Sequence, residues 1–115
     1  MAELDVIDGA AFQSLFDSIG GDREFLGELL ETYFADAPVQ LDTMQSTLDA
    51  GDAEGLRRAA HSLKSNSANF GAMGLSRLCK TVEDMAKAGA LDGAGDQISA
   101  ARAEYARVVA RLRSL

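Results

Sequence analysis

LETYFADAPVQLDTMQSTL, residues 30–48, sets Leu30, Phe34, Ala37, Leu41, Met44 and Leu48 at successive spacings of 4, 3, 4, 3 and 4. That alternation keeps one apolar stripe along one side of an α-helix, the seam by which a helix packs into a bundle. Asp22, a residue type that caps helix starts well, opens the segment, and Ala50-Gly51-Asp52 closes it as a turn. The spacing therefore predicts a long helix B to about Asp49. Pro38 lies inside it and removes the backbone bond to Phe34, which predicts a kink or brief break there.

The same period recurs outward in both directions. Upstream, Phe12, Leu15, Phe16 and Ile19 follow Asp8 at i, i+3, i+4 and i+7, giving a short helix A over about residues 9–19 that Gly20-Gly21 stops. Downstream, Ala53, Leu56, Ala60, Leu63 and Ser67 trace a narrow stripe of helix C that ends near Asn69. Gly71 and Gly74 punctuate the next turn, Leu75, Leu78, Cys79, Val82 and Ala86 form helix D, and Gly89 ends it. GALDGAG, residues 89–95, reads as a loop, and Leu91, Ile98, Ala101, Tyr105, Val108 and Leu112 repeat the bundle spacing as helix E. No stretch alternates with period two. The fold class is all-α, an up-down four-helix bundle with an additional short N-terminal helix as a lid, and the chain reads as one complete domain over 1–115.

Composition agrees with a packed single core. The chain has 115 residues, 47% of them hydrophobic and 25% charged, with 11 basic against 18 acidic side chains and a net charge of −7. These values exclude intrinsic disorder. The single Cys79 and single His61 exclude an internal disulfide and a His/Cys zinc site. The acidic start MAELDVIDGAAF lacks the features of a secretion signal, and no apolar run is long enough for a membrane span, so a cytoplasmic location is expected. Residues 1–54 carry net −12 and residues 55–115 net +5. The bases of the second half are spaced along helices without aromatic platforms, which argues against nucleic-acid binding.

On helix C, a turn of about 100° per residue puts His61 about 140° from Leu56 at the centre of the buried arc, facing solvent. Its neighbours at i−4, i+3, i+4 and i+7 are Arg57, Lys64, Ser65 and Ala68. A neutral imidazole is a nucleophile at physiological pH, and Arg57, Arg58 and Lys64 attract phosphate. Lys64, one turn on, can reach a phosphoryl oxygen, and the small Ser65 and Ala68 let another protein approach. The site is shaped like a phosphate acceptor. No carboxylate stands at i±3 or i±4 of His61 to hold a Mg²⁺ against a bound phosphate.

AAHSLKSNSANFGAMGLSRLCKTVEDMAKAG, residues 59–89, resembles the signature of histidine-containing phosphotransfer (HPt) domains of bacterial two-component phosphorelays. Ala60-His61, Leu63, Lys64, Gly71 and Leu75 meet that pattern, and the likeness extends from about Val6 to Leu112. Ser65 departs from it, because many members have glycine there. The resemblance implies that His61 is the phospho-acceptor and donor and that Lys64 stabilises the phosphoryl group. It implies no cofactor of the chain's own, with Mg²⁺ supplied by the partner receiver domain. The implied partners are response-regulator receivers and a hybrid histidine kinase, with Arg57, Ser65 and Ala68 at the docking face and the protein a monomer. Glu83 orients the imidazole in some relatives and reads equally as an ordinary flank charge.

Two rival classes differ in visible features. A sensor histidine kinase has an acidic residue directly after its histidine, a proline a few residues on and a glycine-rich ATP-binding segment, whereas Ser62 follows His61 and neither of the others is present. An interaction bundle with an incidental surface histidine has the same fold and never takes up phosphate. Cys79, Met44, Met85, Tyr33 and Tyr105 read as core or flank residues.

Overall fold

The computed structural model describes residues 6–115; Glu3 and Asp5 of the acidic start lie outside the described residues. Five helices follow in order: α1 Gly9–Ser18, α2 Arg23–Asp49, α3 Ala53–Asn69, α4 Met73–Ala88 and α5 Ala94–Ser114. Aspartates open the first three by the same device. The Asp8 carboxylate accepts from the N–H groups of Ala10 and Ala11 at 3.0 and 3.2 Å, Asp22 from Phe25 at 3.0 Å, and Asp52 from Gly55 at 2.9 Å. Gly89 ends α4 in the left-handed conformation at φ 68°.

Helices α2 to α5 pack in a ring, each against its neighbours in sequence, with α5 closing on α2, and α3 and α4 share the most extensive contact. The ring is the four-helix bundle expected from the apolar spacing, and α1 lies against α3 outside it. The core is filled by Leu41 and Met44 of α2, Leu56 and Leu63 of α3, Leu75 and Val82 of α4, and Ile98 and Val108 of α5. Phe12 and Leu15 of α1 are only half-buried, as a lid requires. Cys79 is buried in this core and its thiol is pushed up to about 12, chiefly by burial.

The structure corrects three details. Of the kink or brief break expected at Pro38, the break is absent: α2 runs continuously through the proline, which is exposed, while Tyr33, Ala37 and Leu41 on either side are buried and anchor both halves in the core. Tyr33 replaces Leu30 and Phe34 as the deepest anchor of the first half of α2. Its hydroxyl meets that of Ser67 at 2.8 Å, and its ring stacks 4.8 Å from Phe70. The last helix begins at Ala94, inside the 89–95 segment expected as a loop, and Leu91 in the loop before it is half-buried against the core.

Gly71 joins α3 to α4 and anchors the N-terminal segment. Its φ is +83°, its carbonyl accepts from the Asp8 N–H at 2.8 Å, and a Cβ there would lie 2.7 Å from the Asp8 carbonyl oxygen. Both the backbone angle and the close approach demand glycine. Gly51 has a similar φ of +69° with nothing within 4 Å of an added Cβ. Gly71→Ala is therefore expected to cost about 2 kcal/mol or more and Gly51→Ala about 1 kcal/mol, read from urea unfolding. Equal losses would show that the approach of Asp8 contributes nothing.

Candidate functional site

His61 stands in the middle of α3 with its side chain 54% exposed. The solvent-facing placement expected from the helical spacing is the observed one. The carboxylate that the local spacing lacks arrives from the neighbouring helix. Glu83 of α4 is only 2% exposed, and its two oxygens divide between two partners on α3: Oε2 lies 2.9 Å from His61 Nδ1, and Oε1 accepts from Lys64 Nζ at 2.6 Å. Lys87, one turn further along α4, brings its ammonium to 3.7 Å from Oε2. No carboxylate stands at i±3 or i±4 of His61 on α3, and α4 packs closely enough to bring Glu83, the residue the family resemblance offered as an orienter, against its ring.

Burial by itself would raise the Glu83 carboxyl. The hydrogen bond from Lys64, then that with His61, and the charges of Lys64 and Lys87 outweigh it and hold the group down to about 2. Glu83 is thus an ionised, acceptor-only group, so His61 Nδ1 must carry the proton of that bond. In the neutral ring the lone pair then resides on Nε2, the other nitrogen. The arrangement is a nucleophile with its tautomer fixed from behind.

The model of the family described as Hpt domain matches residues 28–111, which include α3, α4 and most of α2 and α5. The chain belongs to the Hpt domain family. Among solved structures it is similar to histidine-containing phosphotransfer protein B (HptB) of Pseudomonas aeruginosa PAO1, with a TM-score of 0.88 and 32% identity over 96% of this chain and 94% of that one. The maize histidine-containing phosphotransfer protein ZmHP2 shares the fold at a TM-score of 0.84 and 22% identity, over 99% of this chain and 84% of that one. No curated protein sequence matches the chain.

Within this Hpt domain the other candidate residues fall in different settings. Lys64 is not a solvated helix-face charge, since its side chain is 25% exposed and its ammonium rests on Glu83. Arg57 makes a two-bond fork with Glu54, Nε to Oε1 at 2.9 Å and Nη2 to Oε2 at 2.7 Å, and meets the His61 cluster through the charge of Glu83. Ser65 is exposed. Ala68, expected on the exposed side with Ser65, is half-buried in the last turn of α3, where its carbonyl accepts from the Gly71 N–H at 3.0 Å.

Lys87 escaped the sequence reading, and so did the burial of Glu83. Both had a signal: Glu83 stands four residues after Cys79, on the apolar stripe of its helix, and Lys87 stands four after Glu83. A charged residue in a core register requires charged partners.

The Glu83 contacts give a pH signature. Its folded value, about 2, is below its ordinary 4.5, so its stabilisation is full above the higher value and is lost as pH falls toward the lower one. Glu83→Gln is expected to lower stability at pH 7 by about 2 kcal/mol, the scale of hydrogen bonds to a charged group. The gap between wild type and variant in urea unfolding should narrow between pH 4.5 and 3. A gap that is constant across that range would mean Glu83 is not held ionised by its neighbours.

Proposed function

We propose that this Hpt domain is a phosphorelay intermediate in which His61 takes a phosphoryl group from the aspartyl phosphate of one receiver domain and gives it to the aspartate of another. The observation that carries the proposal is an exposed imidazole whose Nδ1 is engaged by a buried, ionised carboxylate. The phosphotransfer role in the name of the Pseudomonas protein, 32% identical over 96% of this chain, supports it.

The chemistry follows from the tautomer. The Nε2 lone pair attacks phosphorus, the bond from phosphorus to the aspartyl oxygen breaks, and its electron pair leaves on the receiver's carboxylate. The ring now bears the phosphoryl group on Nε2 and the original proton on Nδ1, and is positively charged. Glu83, already ionised against Nδ1, offsets that charge, so no proton has to move in either direction. Lys64, whose ammonium rests on Glu83 beside the ring, pairs with phosphoryl oxygens when it turns from that carboxylate toward them.

A divalent cation eases such transfers by neutralising charge on the moving phosphoryl group. The residues at His61 do not fit one: both oxygens of Glu83 are committed, and among the described residues no group of three or more His, Cys, Asp or Glu side chains could hold a metal. Mg²⁺ is therefore assigned to the carboxylates of the receiver partner. The protein acts as a phosphocarrier without autokinase activity, as a cytoplasmic monomer serving response-regulator receivers and a hybrid histidine kinase. Arg57 and Ser65, beside His61, and Ala68, beyond Ser65, belong to the docking face.

Incubation with a radiolabelled phospho-receiver tests this. The wild-type protein is expected to take up label that acid removes and base spares, as a phosphoramidate does, and His61→Gln to take up none. Lys64→Ala should slow transfer. Ser65→Gln should fold normally, being an exposed position given a good helix former, and lose about tenfold or more in transfer rate because reacting atoms must come within roughly 3 to 3.5 Å. Label on His61→Gln would contradict the assignment of the acceptor. Full transfer by Ser65→Gln would place the docking face elsewhere.

A further inference from the structure

Resting on the phosphocarrier reading of His61, we propose that Lys87 is a positioning residue that takes over Glu83 when Lys64 turns to the phosphoryl group. Lys64 cannot leave Glu83 without consequence. Among the described residues its ammonium is the only donor within hydrogen-bond distance of Oε1, and the Glu83 side chain is 3% exposed, so the departing cation uncovers one oxygen of a buried carboxylate. An uncompensated buried charge is among the costliest defects a fold can carry. Without a replacement, that cost holds Lys64 on Glu83 and away from the phosphate.

Lys87 meets the requirements of a replacement. It is on the same helix as Glu83 at i+4, and its ammonium waits 3.7 Å from Oε2, the oxygen that also holds His61 Nδ1, so that taking over from Lys64 means moving across one carboxylate to the vacated Oε1. Its side chain is 56% exposed, and Glu83 is its one ion-pair partner among the described residues. It is therefore free to close the remaining distance. Lys64, by contrast, is tied at both ends, its ammonium on Glu83 and its backbone carbonyl accepting from the Ser76 hydroxyl at 3.2 Å. In the exchange Glu83 keeps His61 Nδ1 throughout, changes its ammonium, and stays ionised.

Potassium phosphoramidate as donor tests this without any protein partner. Nε2 attacks its phosphorus, the P–N bond breaks, and ammonia leaves. Lys87→Ala is expected to label His61 roughly fivefold more slowly than wild type, with Lys87→Arg within about twofold of it. The deciding comparison is made in the Lys64→Ala background. There no Lys64 remains to be released, so adding Lys87→Ala should change the rate by less than about twofold. Loss of a cation that merely attracts the anionic donor would slow both backgrounds alike. Lys87→Ala labelling at the wild-type rate, or an equal slowing in both backgrounds, overturns the role of Lys87. Failure of wild type to label at His61 at all would instead overturn the phosphocarrier reading beneath it.

Discussion

A carboxylate that is 2% exposed must have a partner for each oxygen, and in this protein the partners of Glu83 are the two residues on which phosphotransfer would depend. His61 occupies one oxygen and Lys64 the other, both from the neighbouring helix. The consequence runs in two directions. The ion pairs tie α3 to α4 across the part of the bundle that packs most extensively, and the demand of Glu83 for a donor fixes which nitrogen of His61 carries the proton. Structural and chemical roles thus reside in the same three side chains.

The rest of the fold serves to hold that contact in register. His61 can be exposed and rigid together because Ala60 and Leu63 beside it are fully buried, so the helix beneath the imidazole has no freedom to turn. Gly71 returns the chain so that α4 runs back along α3, and the Ser76 hydroxyl bonds the Lys64 carbonyl across the gap. Tyr33 and Ser67 close the far side of α3 against α2 with a buried hydroxyl pair. A phosphocarrier needs a presented nucleophile more than a closed cavity, and a helix face is well suited to present one.

The helices were legible because their seams repeat over several turns, and a repeat of that length leaves little freedom in where a helix lies. The exposure of His61 followed from the same geometry. What escaped were consequences of tertiary packing. Pro38 promised a kink or brief break, yet the helix is continuous through it between buried neighbours, and Tyr33, which reads as core or flank, is buried with Ser67 answering its hydroxyl. The Glu83 triad was half legible. Family likeness suggested an orienting role, whereas its place on the apolar stripe of α4, which signals burial and hence obligatory cationic partners, also pointed to Lys87.

The central claim is that Glu83 sets the tautomer of His61. Nitrogen-15 NMR of the imidazole, with the chain's only histidine labelled, reads this directly in the wild-type protein and in Glu83→Gln, at a pH where the ring is neutral. The expected wild-type spectrum shows a protonated Nδ1 and an unprotonated Nε2, and Glu83→Gln shifts the population toward the Nε2–H form that free imidazole side chains favour. A wild-type ring with its proton on Nε2, or one unaffected by Glu83→Gln, would contradict the account.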